Sequence, residues 1–268
     1  MESSFILRSS VKIAKLPQMY LILAIFLSFP SFASITCTHP QVCNLFENSN
    51  YPFKLEIDPH HFEPSIGEIK TLLSADTVAF GPTNLNPWAQ KIETNRKNTN
   101  KKNIVIEIPE EFKKKYGKEN VHMIEHFWLY PDILCSLVKD CKVKDVEEKI
   151  KNLKNLVQGK YFVLTHDALA PLFESQGAIV TSLRTSTHNC EAQPLSLKIL
   201  EQWRKENRRP IWLIEENVHT FQQLKGKIGK EDLVVKIDII GRPGENPFAV
   251  FDKIYLDLEK VLHGKPNP

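Results

Sequence analysis

The sequence holds three histidines and one aspartate at places where an α/β chain presents ligands. His60 follows "KLEIDP". His126 lies in "EHFWLYP", just ahead of a helical run. His166 directly follows the apolar run "YFVLT", and Asp238 ends "LVVKI" with Gly241 close behind. Open α/β proteins bind their ligands in loops beyond the strand ends. Imidazole is the commonest zinc ligand, and carboxylate the usual oxygen partner. Three neutral imidazoles and one carboxylate complete a tetrahedral site from protein alone. Such a site leaves no position for a substrate water, so it captures an ion rather than hydrolysing a bond. A second histidine, His61, stands beside His60 in "DPHHFEP" (58–64). Adjacent residues in a turn cannot both point the same way, and spacing alone leaves the choice between them open. His39, in "CTHPQVC", could look into the same cleft from the end of a first strand.

The motifs of common catalysts are missing from the sequence. It contains no H-E-x-x-H, no G-x-S-x-G, no P-loop and no G-x-G-x-x-G. "GRPG" (241–244) follows the last apolar run and has no matching phosphate-binding helix. A metallohydrolase would need an open coordination position and a base, for which Glu63 or Glu125 would have to serve.

Short apolar runs alternate with amphipathic ones and can position these side chains. "SITCT", "PFKLEI", "DTVAF" and "NIVIEI" read as strands of a first half. Between them, "SIGEIKTLLSA" (65–75) reads as a helix, with Ser65 as N-cap, Glu68 completing a capping box, and Ile66, Ile69, Leu72 and Leu73 on one face. "NPWAQKIE" is a second helix. "KIETNRKNTNKKN" (91–103) has no apolar period and reads as a solvated loop. "KYFVLT", "AIVTSL", "PIWLIEE" and "KEDLVVKID" repeat the strand pattern in a second half, with helices at "HDALAPLFESQG", "PLSLKILEQWRKEN" and "NPFAVFDKIYLDLEKVLHG". Strand–helix alternation on this scale indicates mainly parallel sheets flanked by helices. Two α/β lobes are expected, 34–141 and 158–268, joined by a helix over 142–157, with the metal site between them.

Residues 1–33 stand apart. Arg8, Lys12 and Lys15 precede the uncharged run "MYLILAIFL" (19–27), and Ser31 and Ala33 form a small-x-small ending. Nine apolar residues cannot span a bilayer core of about 30 Å. The pattern is that of a secretory signal peptide, with export to the periplasm. An acyl anchor on Cys37 is the alternative, although "SIT" before it is a poor lipobox. The chain has 35 Lys+Arg and 32 Asp+Glu, and two of the three excess basic charges lie in residues 1–33. The charge therefore gives no argument for a nucleic-acid partner. Cys37/Cys43 and Cys135/Cys141 are each six positions apart, with Cys190 alone. In an oxidising compartment each pair is either a disulfide spanning a strand-to-helix step or helix end, or two buried thiols.

Several segments in order resemble the metal-binding substrate-binding proteins of ABC transporters, the zinc/manganese type known as cluster A-I. "DPHHFEPSIGEIKTLLSADTVAF" is similar to that family's D-P-H-x-[YF]-E-P segment, and "EHFWLYP" to its P-H-x-W-x-x-P. "FVLTHDALAPLFESQGA", "QPLSLKILEQWRKENRRPIWLIEE" and "IDIIG" resemble later segments. The resemblance implies four ligands, His60, His126, His166 and Asp238, and makes His61 a rim residue. It implies capture of Zn²⁺, or alternatively Mn²⁺, by a monomer that delivers it to a membrane permease without catalysis. Surface adhesion on the same fold, with a structural metal, is the other function implied. Glu125 stands where the family has proline, and Tyr130 where an acid or serine is common. Only forty positions separate His126 from His166, which implies a shortened linking helix.

Overall fold

The short apolar runs form two parallel sheets. The computed structural model describes residues 34–54, 62–82, 85, 87–117, 124–183, 194–215, 224 and 226–264, all within one unit, Ser34–Pro268. His60, His61, Cys190 and residues 1–33 lie outside the described residues. The first sheet comprises β1 (Ile35–Cys37), β2 (Ser49–Asn50), β3 (Thr77–Phe80) and β4 (Lys102–Val105), in the order β2-β1-β3-β4. The second comprises β5 (Tyr161–Leu164), β6 (Ile179–Ser182), β7 (Ile211–Glu215) and β8 (Leu233–Ile237), in the order β6-β5-β7-β8. Every pairing is parallel. In each sheet the chain starts inside, steps to one side, then crosses back. The switch points therefore fall between β1 and β3 and between β5 and β7, where such sheets bind ligands.

Helices α1 (Pro40–Cys43), α2 (Ile66–Ser74), α3 (Pro87–Lys97) and α4 (Glu110–Tyr116) accompany the first sheet. Helices α5 (Pro131–Leu137) and α6 (Val143–Val157) lie between the sheets in sequence. Helices α7 (Ala170–Ser175), α8 (Pro194–Lys205) and α9 (Ala249–Leu262) accompany the second. Helix α6 falls where the linking helix was expected; its buried stripe is Val146, Leu153, Leu156 and Val157. Helix α2 begins as its sequence specifies. The Ser65 hydroxyl accepts from the Glu68 N–H at 3.3 Å, and the Glu68 carboxylate accepts from the Ser65 N–H at 2.7 Å. Ile66, expected on the buried face, opens the helix in solvent at 75% exposure.

Strand alternation divides the core into three parts. Phe162 and Leu164 of β5 and Ile211 and Leu213 of β7 face one cluster, while Val163, Trp212 and Ile214 face another with Leu200 and Trp203. Such two-sided burial is the signature of strands covered by helices on both faces. Val78 and Phe80 of β3 turn to a third cluster with Phe53, Phe62 and Leu72. The largest cluster is shared between the lobes. It runs from Cys37 and Val42 through Trp128, Tyr130 and Ile133 to Leu164, Val250 and Phe251.

Two sequence readings need correction. The stretch 91–103 is not a solvated loop: α3 continues to Lys97, and β4 begins at Lys102. Its periodicity was hidden because its buried group is a guanidinium. Arg96 has no exposed surface. It donates to the carbonyls of Leu72 (2.6 Å), Ala75 (2.8 Å) and Lys102 (3.0 Å) and to Asn103 Oδ1 (2.8 Å), so it satisfies the carbonyl end of α2 from within. "PFKLEI" does not begin a strand either. β2 lies earlier, at Ser49–Asn50; Pro52–Lys54 are irregular, and 55–57 lie outside the described residues.

Both cysteine pairs are disulfides. Cys37–Cys43 ties β1 to α1, and Cys135–Cys141 ties α5 to the turn before α6. Among the described residues, no helix is long and apolar enough to cross a membrane.

Candidate metal centre

The switch point of the second sheet brings a histidine and a carboxylate together. Leu164 pairs with Leu213, so the residues just past β5 fall beside the last two of β7, Thr165 beside Ile214 and His166 beside Glu215. The Thr165 N–H donates to the Leu213 carbonyl at 3.1 Å, and the Glu215 N–H donates to the Thr165 hydroxyl at 3.3 Å. His166 is extended (φ −139°, ψ 140°) and caps the single 3-10 turn Asp167–Leu169. Its Nδ1 accepts from the Ala168 N–H at 3.3 Å and lies 3.6 Å from Glu215 Oε1. A water-sized cavity of about 10 Å³ opens here, lined by Thr165, His166, Glu215, Ile237 and Ile239, among others.

His126 reaches the same place from the segment ahead of α5. It is 3% exposed and starts the 3-10 turn Phe127–Leu129. Its ring meets that of His166 edge to face, with centroids 5.1 Å apart. Trp128, two residues on, lies 5.3 Å from the His126 ring and donates its indole N–H to the Ile239 carbonyl at 2.6 Å. Tyr130 donates its hydroxyl to the Ala168 carbonyl at 2.6 Å, steadying the turn that His166 caps. Complete burial pushes the Tyr130 phenol well above its ordinary range, with nearby Tyr116 and Asp167 adding to the effect. The hydroxyl therefore stays a donor at any physiological pH.

The two groups at His166 Nδ1 make opposite demands. Accepting the Ala168 N–H puts the ring proton on Nε2. Binding an ion through Nε2 requires that proton on Nδ1, where the Glu215 carboxylate can receive it. Glu215 is thus placed to accept from Nδ1 in the tautomer that presents Nε2 as an acceptor. It was missed in the sequence, although "IWLIEE" ends a strand at the same sheet edge as His166.

Asp238 follows β8 by one residue. Its Oδ1 accepts from the Ile240 N–H (3.0 Å) and the Gly241 N–H (3.1 Å), and its Oδ2 lies 3.8 Å from Lys253 Nζ on α9. Its neighbours Ile237 and Ile239 line the cavity at His166. The structure thus joins His126 to His166 and sets Asp238 in an adjoining loop. Among the described residues, no three His, Cys, Asp or Glu side chains form a ready-made ligand group. His60 lies outside them.

His39 holds the equivalent place in the first sheet. Thr38 donates its N–H to the Ala79 carbonyl (3.0 Å) and accepts the Gly81 N–H (3.2 Å), just as Thr165 serves β7. The His39 Nδ1 accepts from the Gln41 N–H at 3.2 Å, and its ring stacks on Trp128 at 4.4 Å. The position opposite it is Gly81, where the second sheet has Glu215.

This geometry is that of a known class of fold. No family model matches the chain, and no curated protein matches it. Solved structures do. The periplasmic zinc-binding protein TroA from Treponema pallidum matches with a TM-score of 0.59 at 12% identity, over 86% of this chain and 97% of that one. AdcAII from Streptococcus pneumoniae gives 0.60 at 16% identity, over 86% and 97%. The laminin-binding protein Lmb from Streptococcus agalactiae, described as bifunctional with adhesin and metal-transporting activity, gives 0.58 at 18% identity, over 84% and 99%. The chain has their two-lobed α/β fold, the fold of the solute-binding proteins that its sequence motifs resemble.

Proposed function

We propose that this chain is an exported solute-binding protein that captures a divalent transition metal between its lobes and delivers it to an ABC-transporter permease. The observation that carries the reading is the His126–His166 pair, with ring centroids 5.1 Å apart at a sheet switch point. The proposed ligands are His60, His126, His166 and Asp238, with Glu215 holding the His166 ring. Zn²⁺ is preferred to Mn²⁺, because nitrogen-rich sites follow an order in which Mn²⁺ is weakest, and three imidazoles with one carboxylate suit a tetrahedral d¹⁰ ion. Among the similar structures, TroA is a zinc-binding protein and AdcA from Streptococcus pneumoniae is Zn(II)-bound. No chemical step is required of the protein. It acts as a monomer of two lobes, 34–141 and 158–268, joined by the helix in 142–157.

Residues 1–33 direct export, and the two disulfides fit an oxidising compartment. Elemental analysis of protein purified from the native periplasm tests the reading. One zinc per chain is expected; manganese in its place would overturn the choice of ion, and no bound metal would overturn the function. Adhesion is the second reading, favoured by the likeness to the laminin-binding proteins Lmb and Lbp, the latter from Streptococcus pyogenes. Saturable laminin binding that survives chelation would favour it.

A further inference from the structure

The loop that carries Asp238 is held from the opposite lobe. Three of its carbonyls accept hydrogen bonds from side chains that precede the second sheet in the chain. Trp128 Nε1 donates to Ile239, Gln41 Nε2 to Ile240 at 2.7 Å, and Asn44 Nδ2 to Arg242 at 2.9 Å. In return, the Gly244 N–H donates to Asn44 Oδ1 at 2.7 Å. The two amides also bind each other, Asn44 Nδ2 to Gln41 Oε1 at 3.2 Å, so Gln41, 2% exposed, has both ends of its amide engaged. Approach is close enough that a Cβ on Gly241 (φ 64°) would lie 2.5 Å from Gln41 Nε2 and 2.4 Å from Val250 Cγ2. The turn that presents these amides is itself fixed. The Cys37–Cys43 disulfide closes it, and His39 caps it through the Gln41 N–H.

We propose that Gln41 and Asn44 are positioning residues for the ion. From the first lobe they seat the 238–244 loop of the second, so the two sides of the site are in register before the ion arrives. This rests on the metal-binding reading above. All of these bonds join groups of the chain itself, and none of them uses an atom of the ion. The apolar core shared by the lobes acts in the same direction, since a hydrophobic interface suppresses relative motion. Binding to a site already in register avoids the affinity lost when the competent state is only a fraction of the population.

The test compares wild type, Gln41→Ala/Asn44→Ala, and Gln41→Met/Asn44→Ala, which preserves buried volume in case the first variant folds poorly. Zinc affinity is read by chelator competition, lobe separation by small-angle scattering with and without zinc, and coordination by the visible absorption of Co²⁺. Expected are a roughly tenfold loss of zinc affinity, a larger metal-free radius that contracts on adding zinc, and a weaker Co²⁺ band as water replaces a protein ligand. Wild type should show no contraction. In an Asp238→Asn background the same substitutions should cost less than about twofold, because their effect runs through that loop. Unchanged zinc affinity and Co²⁺ band in both variants, with zinc bound normally by wild type, would overturn this inference alone. Failure of wild type to bind zinc would overturn the metal reading as well, and the metal-free radii would still decide whether the clasp holds the lobes.

Discussion

His39 and His166 occupy the same place in two sheets of the same topology. Each follows a threonine that bridges to the neighbouring strand, each is extended, and each accepts the N–H two residues on through Nδ1. They differ in what stands across from them. Glu215 faces His166 at 3.6 Å, and the His126 ring meets it edge to face, whereas His39 faces Gly81 and stacks on Trp128. One fold position thus faces a carboxylate in one lobe and packs on an indole in the other.

Substitution should separate these roles. His166→Ala is expected to cost at least about 100-fold in zinc affinity, beyond the ~10–100-fold typical of losing a supporting contact. His39→Asn keeps an acceptor for the Gln41 N–H but loses the stacked ring. It should lower the melting temperature and change zinc affinity by less than about threefold. Chelator competition and thermal melting on both variants check this; equal affinity losses would make His39 a ligand.

His60 and His61 should behave unequally. His60→Ala is expected to weaken zinc binding at least about 100-fold and His61→Ala less than about tenfold. The same competition titration measures both. The reverse order would shift the ligand by one residue.

Asp238 and Lys253 form a third pair. Asp238 Oδ1 is engaged by its loop, and Lys253 stands 3.8 Å from Oδ2, the oxygen that the proposed site would use. Asp238→Asn keeps the loop acceptor and removes the charge, so zinc affinity should fall with little change in metal-free melting. Lys253→Met removes a competing cation whose half-exposed ion pair is worth up to about 1 kcal/mol, so zinc affinity should rise by up to about fivefold. Weaker zinc binding by Lys253→Met would show that the ammonium supports the site instead.

Much of the fold was legible because its signals are local. The Ser65–Glu68 box started α2 where expected, and short continuous apolar runs marked β5 and β7. His126 and His166 were singled out by their placement ahead of a helix and after a strand, and the structure brings their rings together. Arg96 was not, because a polar residue buried among carbonyls looks identical in sequence to a solvated one. Its substitution by Met should destabilise the protein by at least about 3 kcal/mol, since several buried carbonyls lose their donor. Glu215 and Gln41 escaped notice for another reason: each acts on a group brought near only by strand register or by contact between lobes.

Stability should fall in alkali. Burial, reinforced by Glu68, pushes the Tyr51 phenol up to about 12; burial and Asp132 raise Tyr116 further, and Tyr130 is also raised. Below the ordinary phenol value of 10.0, folded and unfolded chains both keep these protons. Above it the unfolded chain releases them first, so each raised phenol costs up to about 1.4 kcal/mol per pH unit. Urea midpoints at pH 8, 10 and 11 should drop across the last interval, less steeply in Tyr116→Phe. A flat profile from pH 10 to 11 would contradict the assignment.

The most direct test of metal capture is a zinc titration of the protein and its His126→Ala/His166→Ala variant, with circular dichroism on both. Wild type should bind one zinc per chain and prefer it to manganese. The double variant should keep its dichroism spectrum and bind none. One tightly held zinc in the double variant, or none in wild type, would contradict the assignment of this histidine pair as the heart of a metal site.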